Sequence, residues 1–103
     1  MDKVAGLKGI LEQDPKNSFA RYGLAMELAG RGETEAALSE FDTLLANDPA
    51  YTAGYFMAAQ TLASAGRAPE AIARLKAGIG SATRSGNHHA ASEMQAMLDE
   101  LDR

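Results

Sequence analysis

Slid against itself by 34 residues, this sequence repeats. Asp14-Pro15 falls on Asp48-Pro49, Ala25 on Ala59, Leu28-Ala29 on Leu62-Ala63, Gly32 on Gly66 and Ala37 on Ala71. The larger apolar positions follow the same shift, Leu7 onto Phe41 and then Leu75, Leu11 onto Leu45 and then Ile79, Tyr22 onto Phe56. A fixed period of this size means a stacked array, in which each unit leaves an apolar face uncovered and relies on its neighbours to bury it. With 103 residues in all, the array is short and the chain reads as one domain.

Within each period the pattern is helical. From Ser18 to Gly30 the positions Phe19, Tyr22, Met26 and Ala29 share one side, and Leu24, Ala25 and Leu28 form an adjoining band, so a helix buried on two faces is expected. Composition agrees. Aromatics are 6% of residues, Trp is absent, and the β-branched aliphatics are Val4, Ile10, Ile72 and Ile79, with alanine filling the space they leave. Ala and Leu favour helices, whereas strands need the residue types that are scarce here, so the fold class is all-α. The stops are legible as well. Gly30 and Gly32 can end a helix in left-handed conformations, and Asp48-Pro49 breaks the next one because proline disfavours helix at the residue before it.

A helix-turn-helix period of 34 residues resembles the tetratricopeptide repeat family, whose pattern places small residues where paired helices meet, then an aromatic and a closing proline. In a first repeat spanning 18–51 the matching residues are Ala25, Gly32, Ala37, Phe41 and Pro49. In a second, spanning 52–85, they are Tyr55 at the large position, Ala59, Leu62, Gly66, Ala71 and Leu75, with Thr83 where the proline belongs. Gly78 and Gly80 fall inside that repeat's second helix and either lengthen it or loosen it locally. Residues 2–13 resemble the second helix of a preceding repeat whose first helix is missing, and residues 87–102 a closing helix that carries Met94, Met97, Leu98 and Leu101 on one side. The resemblance implies an antiparallel helix-pair superhelix of about five helices, occupying residues 1–103 as a single domain.

What the resemblance implies for function is protein recognition, because in this family the first helices line a concave surface that holds a peptide or a partner helix. The residues matching that lining are Phe19, Tyr22, Met26, Phe56, Met57 and Gln60. Two methionines beside several aromatics make a surface that tolerates varied apolar side chains. Two readings stay open: an open groove that takes an apolar or amphipathic segment of another protein, or a groove filled by the chain's own Met94, Met97 and Leu101. Self-association as a homodimer, through the groove or the terminal helices, is the alternative function. Family members that hold chaperone carboxylates use Lys, Asn and Arg on successive first helices. The matching positions here are Tyr22, Met26 and Met57, and no Lys or Arg occurs from Ser85 to Asp102, so that clamp is not expected.

Other classes of function lack their residues. The ten Lys and Arg are scattered and the net charge is -4, so no basic stripe suggests nucleic acid. Charge-free runs such as 50–66 contain Thr, Gln, Gly and Ser, so no membrane span is expected, and no apolar core of a secretory signal follows the charged N-terminus. Without cysteine there is no disulfide scaffold, thiolate metal site or Cys nucleophile, and a cytoplasmic setting is the default. His88 and His89 are adjacent and point about 100° apart on a helix, so they cannot share a metal, and His89 with Glu93 offers two ligands without a third. No phosphate-cradling glycine loop or nucleophile with a paired base is present. No cofactor, metal or catalytic residue is expected.

Overall fold

A computed structural model describes residues 2–103, and over them the chain forms six helices and no strand, close to the five or so expected. They are α1 (Lys3–Gln13), α2 (Ser18–Gly30), α3 (Thr34–Asn47), α4 (Thr52–Ser64), α5 (Ala68–Arg84) and α6 (His88–Leu101). The chain divides into two compact units, the first ending at Asp48 and the second running from Pro49 to Arg103.

The helix ends repeat with the sequence. Asp14 and Asp48, one period apart, adopt the same non-helical conformation, with φ of -141° and -142°, and each returns its N–H to a helix carbonyl, of Ile10 and Leu44 respectively. Proline follows both, and its ring excludes the helical alternative at the residue before it. The tighter turns use glycine at positive φ, 78° at Gly32 and 77° at Gly66. In each, the glycine N–H reaches the carbonyl three residues back and the next N–H reaches five back, Glu33 to Leu28 and Arg67 to Leu62. A side chain at either glycine would be strained. Gly86, at φ 74°, builds a third such turn between α5 and α6. With Thr83 where the proline would stand, α5 runs on for 17 residues until that glycine turns it.

In the first unit α2 packs on both α1 and α3. Ala25, Ala37, Phe41 and Leu44 are fully buried and Leu24 nearly so. Arg21 of α2 and Glu40 of α3 form an ion pair at 2.6 Å, and the same guanidinium donates to the Pro15 carbonyl, holding the α1–α2 loop. Asp2 and Asn17 cap α1 and α2 by accepting from Val4 N–H and Ala20 N–H, which satisfies amides that a helix start leaves without partners.

In the second unit α5 packs on α4 and α6, and α6 also touches α4. Ala58, Ala59, Ala71, Leu75 and Ala82 are fully buried. The Pro49 carbonyl accepts two hydroxyls, Tyr55 at 2.8 Å and the buried Ser81 at 2.7 Å, which tie the entry loop to α4 and α5. Asn87 caps α6 through Ala90 N–H, as its position before the closing helix predicts. Gly78 is no loose point in α5. A Cβ there would lie 2.6 Å from both the Met94 sulfur and Tyr55 Cβ, so the missing side chain is what lets α4 and α6 approach.

Candidate functional site

On the first unit, the lining residues of α2 come together with residues of α1. Phe19, Tyr22, Gly23, Met26 and Glu27 surround an open depression of about 350 Å³ with Lys3 and Leu7. Phe19 is 80% exposed, and Tyr22 and Met26 are half-buried. Helical spacing puts residues 19, 22, 23 and 26 on one side of α2. Leu7 lies against Gly23, its Cδ2 3.4 Å from where a Cβ would stand. The lining is therefore largely aliphatic and aromatic, with charged groups at the Lys3 and Glu27 edge.

That edge belongs to a chain of ion pairs. Arg31 bonds Asp2 at 2.6 Å and Glu27 at 3.2 Å, and Lys3 lies 3.7 Å from Glu27. The Arg31 guanidinium, helped by Val4 N–H, holds the Asp2 carboxyl below the ordinary carboxylate range, and Asp2 with Glu27 raises Arg31. All four side chains keep solvent contact, so the pairs fasten α1 to α2 only weakly. A second hollow, of about 310 Å³, is bordered by Lys8, Leu11, Glu12, Arg21, Leu24 and Glu40, and its charges of both signs leave it without a preferred ligand.

On the second unit Phe56 and Met57 are half-buried on α4 and Gln60 is exposed. One turn further on, the Thr61 hydroxyl donates to the Met57 carbonyl at 2.8 Å. The closing helix buries Met94, 1% exposed, against Gly78 of α5 and buries Leu98 as well, while Met97 and Leu101 stay half-buried. Glu70, in the first turn of α5, receives the Arg67 guanidinium at 2.8 Å through both oxygens, which lowers its pKa. His89 and Glu93 lie 3.3 Å apart on α6, both well exposed. Among the described residues no group of three or more His, Cys, Asp and Glu is placed to hold a metal ion, and no helix is long and apolar enough to cross a membrane.

Comparison with known proteins settles the family. A model of the tetratricopeptide repeat matches residues 28–98. The chain belongs to the tetratricopeptide repeat family. It is 28% identical over 100 residues to the TPR repeat-containing protein PA0015 of Pseudomonas aeruginosa, an alignment covering 97% of this chain and 95% of that one. Among solved structures it resembles the tetratricopeptide repeat domain protein of Salinibacter ruber, with TM-score 0.79 and 30% identity over 85% of this chain and 89% of that one. It also shares the fold of PcrH, solved in complex with the chaperone binding region of PopD, with TM-score 0.85 and 18% identity over 93% and 73% of the two chains. The all-α fold expected from the period is thus a TPR fold.

Lys3, Leu7 and Glu27 are the depression's residues that a search along the first helices does not single out. Leu7 reads as core, since Phe41 and Leu75, one and two periods later, are fully buried. Leu7 is half-covered instead, and forms a wall of the depression.

Proposed function

We propose that this TPR chain works as a single non-catalytic interaction module that binds an apolar or amphipathic segment of another protein through Phe19, Tyr22, Met26, Phe56, Met57 and Gln60. The observation that carries the reading is Phe19, a large aromatic left 80% exposed at the edge of an apolar depression. A side chain of that size gains nothing by facing water and is the type of anchor that dominates protein interfaces. PcrH, of the same fold, is seen holding a region of another protein, which supports recognition as the task. The absence of cysteine, and of a membrane-spanning helix among the described residues, supports a cytoplasmic setting.

The test is selection of amphipathic peptides from a displayed library on the immobilised chain, followed by titration of the best binder. Replacing Tyr22 and Phe56 together with Ala is expected to weaken binding by about 4 kcal/mol, roughly 2 per anchor, while the melting temperature stays near that of the parent. A large fall in melting temperature would make the two residues core and remove the site. Sedimentation showing a concentration-dependent dimer that the peptide does not disturb would favour self-association instead.

A further inference from the structure

The first helix is held differently from the other five. Gly6 and Gly9 lie in its interior, and a Cβ built on either meets nothing within 4 Å. Neither takes a positive φ. Packing and backbone geometry therefore both permit a Cβ at these two positions, yet glycine occupies them and weakens helix formation by roughly fivefold each relative to alanine. Nor does burial compensate. The residues α1 buries are Val4 and Leu11, each still 9% exposed, Leu7 is half-covered, and Ile10 is 47% exposed. By contrast α3 buries Ala37, Leu38, Phe41, Leu44 and Leu45. What holds the start of α1 is polar and wet: the Asp2 cap, the Asp2–Arg31 pair and the Lys3–Glu27 pair.

We infer that α1 is a displaceable strap, occupying in cis a seat on α2 that an amphipathic helix of a partner protein takes when α1 leaves. The seat is described by what fills it now. Leu7 rests against Gly23 beside Tyr22 and Met26, and Leu11 lies by Leu24 and Arg21. The partner helix carries apolar residues at the spacing of Val4, Leu7 and Leu11, with ordinary helix formers where α1 has glycine. That difference also says why the partner is not a second copy. An identical α1 arriving from solution competes against one tethered beside its seat by the short loop of residues 14–17, at an effective concentration in the millimolar range, and gains nothing for it. A helix without the glycines gains. The inference does not depend on peptide binding at Phe19 and Phe56, because its readout is α1 itself.

The experiment uses the full chain and, as probe, a fluorescent peptide with the sequence of residues 2–16 in which Gly6 and Gly9 are alanine. Apparent affinity scales with the fraction of chains whose seat is open. Asp2→Ala in the chain, which takes the cap and the Arg31 pair from the resident helix but not from the probe, is expected to raise uptake about fivefold. Gly6→Ala with Gly9→Ala in the chain, which strengthens the resident helix, is expected to lower it by about tenfold or more. Lys76→Ala, an exposed position on α5 of the second unit, should leave uptake unchanged. Hydrogen exchange of α1 amides should run at least about tenfold faster than that of α3 amides in the parent chain. Equal uptake by the parent and both α1-directed variants, or α1 amides as protected as those of α3, would overturn the strap. Exchange of α1 between chains with growing concentration would assign the seat to a second copy and overturn the foreign partner.

Discussion

The two end helices make the same kind of contact by opposite means. In the first unit α1 lies on α2 with two glycines that nothing touches, a half-covered leucine and an exposed isoleucine, secured by ion pairs at its start. In the second, α6 lies on α5 with Met94 fully packed over a glycine that has no room for a methyl group. Glycine is an idle helix breaker in one and a point of closest approach in the other. Its effect is read from what stands near the missing Cβ, not from the residue name. An end secured by exposed charges can open locally, whereas one secured by a close-packed side chain opens only with the unit.

The sharpest way to break this comparison is to remove the apolar key from each end. Met94→Ala deletes a side chain that is 1% exposed and is expected to cost on the order of 3 kcal/mol, while Leu11→Ala, at an edge still 9% exposed, should cost about 1–2 kcal/mol. Urea midpoints for the two variants decide it, and equal losses would mean that α1 is as integral as α6. A subtler test adds volume. Gly78→Ala improves helix propensity by about 1 kcal/mol but drives a methyl into Tyr55 Cβ, which cannot swing aside as the Met94 thioether can. A net loss of about 1–2 kcal/mol is expected, and a stabilised protein would show that α5 has slack there.

Much of this was legible because it is local chemistry repeated at a fixed interval. Asp-Pro at both period ends, glycine at 32 and 66, and alanine at 25, 37, 59 and 71 each dictate their own backbone or packing, and the structure places them as the period predicts. What escaped depends on neighbours that no single residue announces. Gly78 reads as a weak point in a helix until Tyr55 and Met94 are seen on either side of it. Leu7 reads as core by analogy with Phe41, and becomes a wall of the depression because the described residues leave it half-covered. The Gly86 turn, too, needs the geometry, since the missing proline says that α5 continues but not how far.

Substitution in the other direction sharpens the contrast by a smaller amount. Gly6→Ala and Gly9→Ala meet open space, so each should stabilise the chain by up to about 1 kcal/mol, through the helix and through the restricted unfolded state. Calorimetry showing loss at either position would mean that α1 needs its glycines for a contact the folded chain does not display.

The smallest effect is the one most specific to the polar fastening of α1. Asp2 titrates below the ordinary carboxylate range when folded, because Arg31 and Val4 N–H favour its charged form. A group whose folded pKa is depressed contributes fully above its unfolded value of about 4 and loses that contribution as pH falls through the folded pKa. Asp2→Asn keeps a side chain able to cap α1 but removes the charge that Arg31 binds. The protection of α1 amides in parent and variant should therefore differ at neutral pH and converge once the solution is acidic enough to protonate Asp2. Comparing the two chains at the same pH cancels the intrinsic pH dependence of exchange and the titration of every other carboxylate. Raising salt at neutral pH should narrow the same gap, because the pair is exposed to screening. A gap that persists unchanged in acid would mean that Asp2 acts on α1 through its cap alone, and that the Arg31 contact orients the helix without holding it.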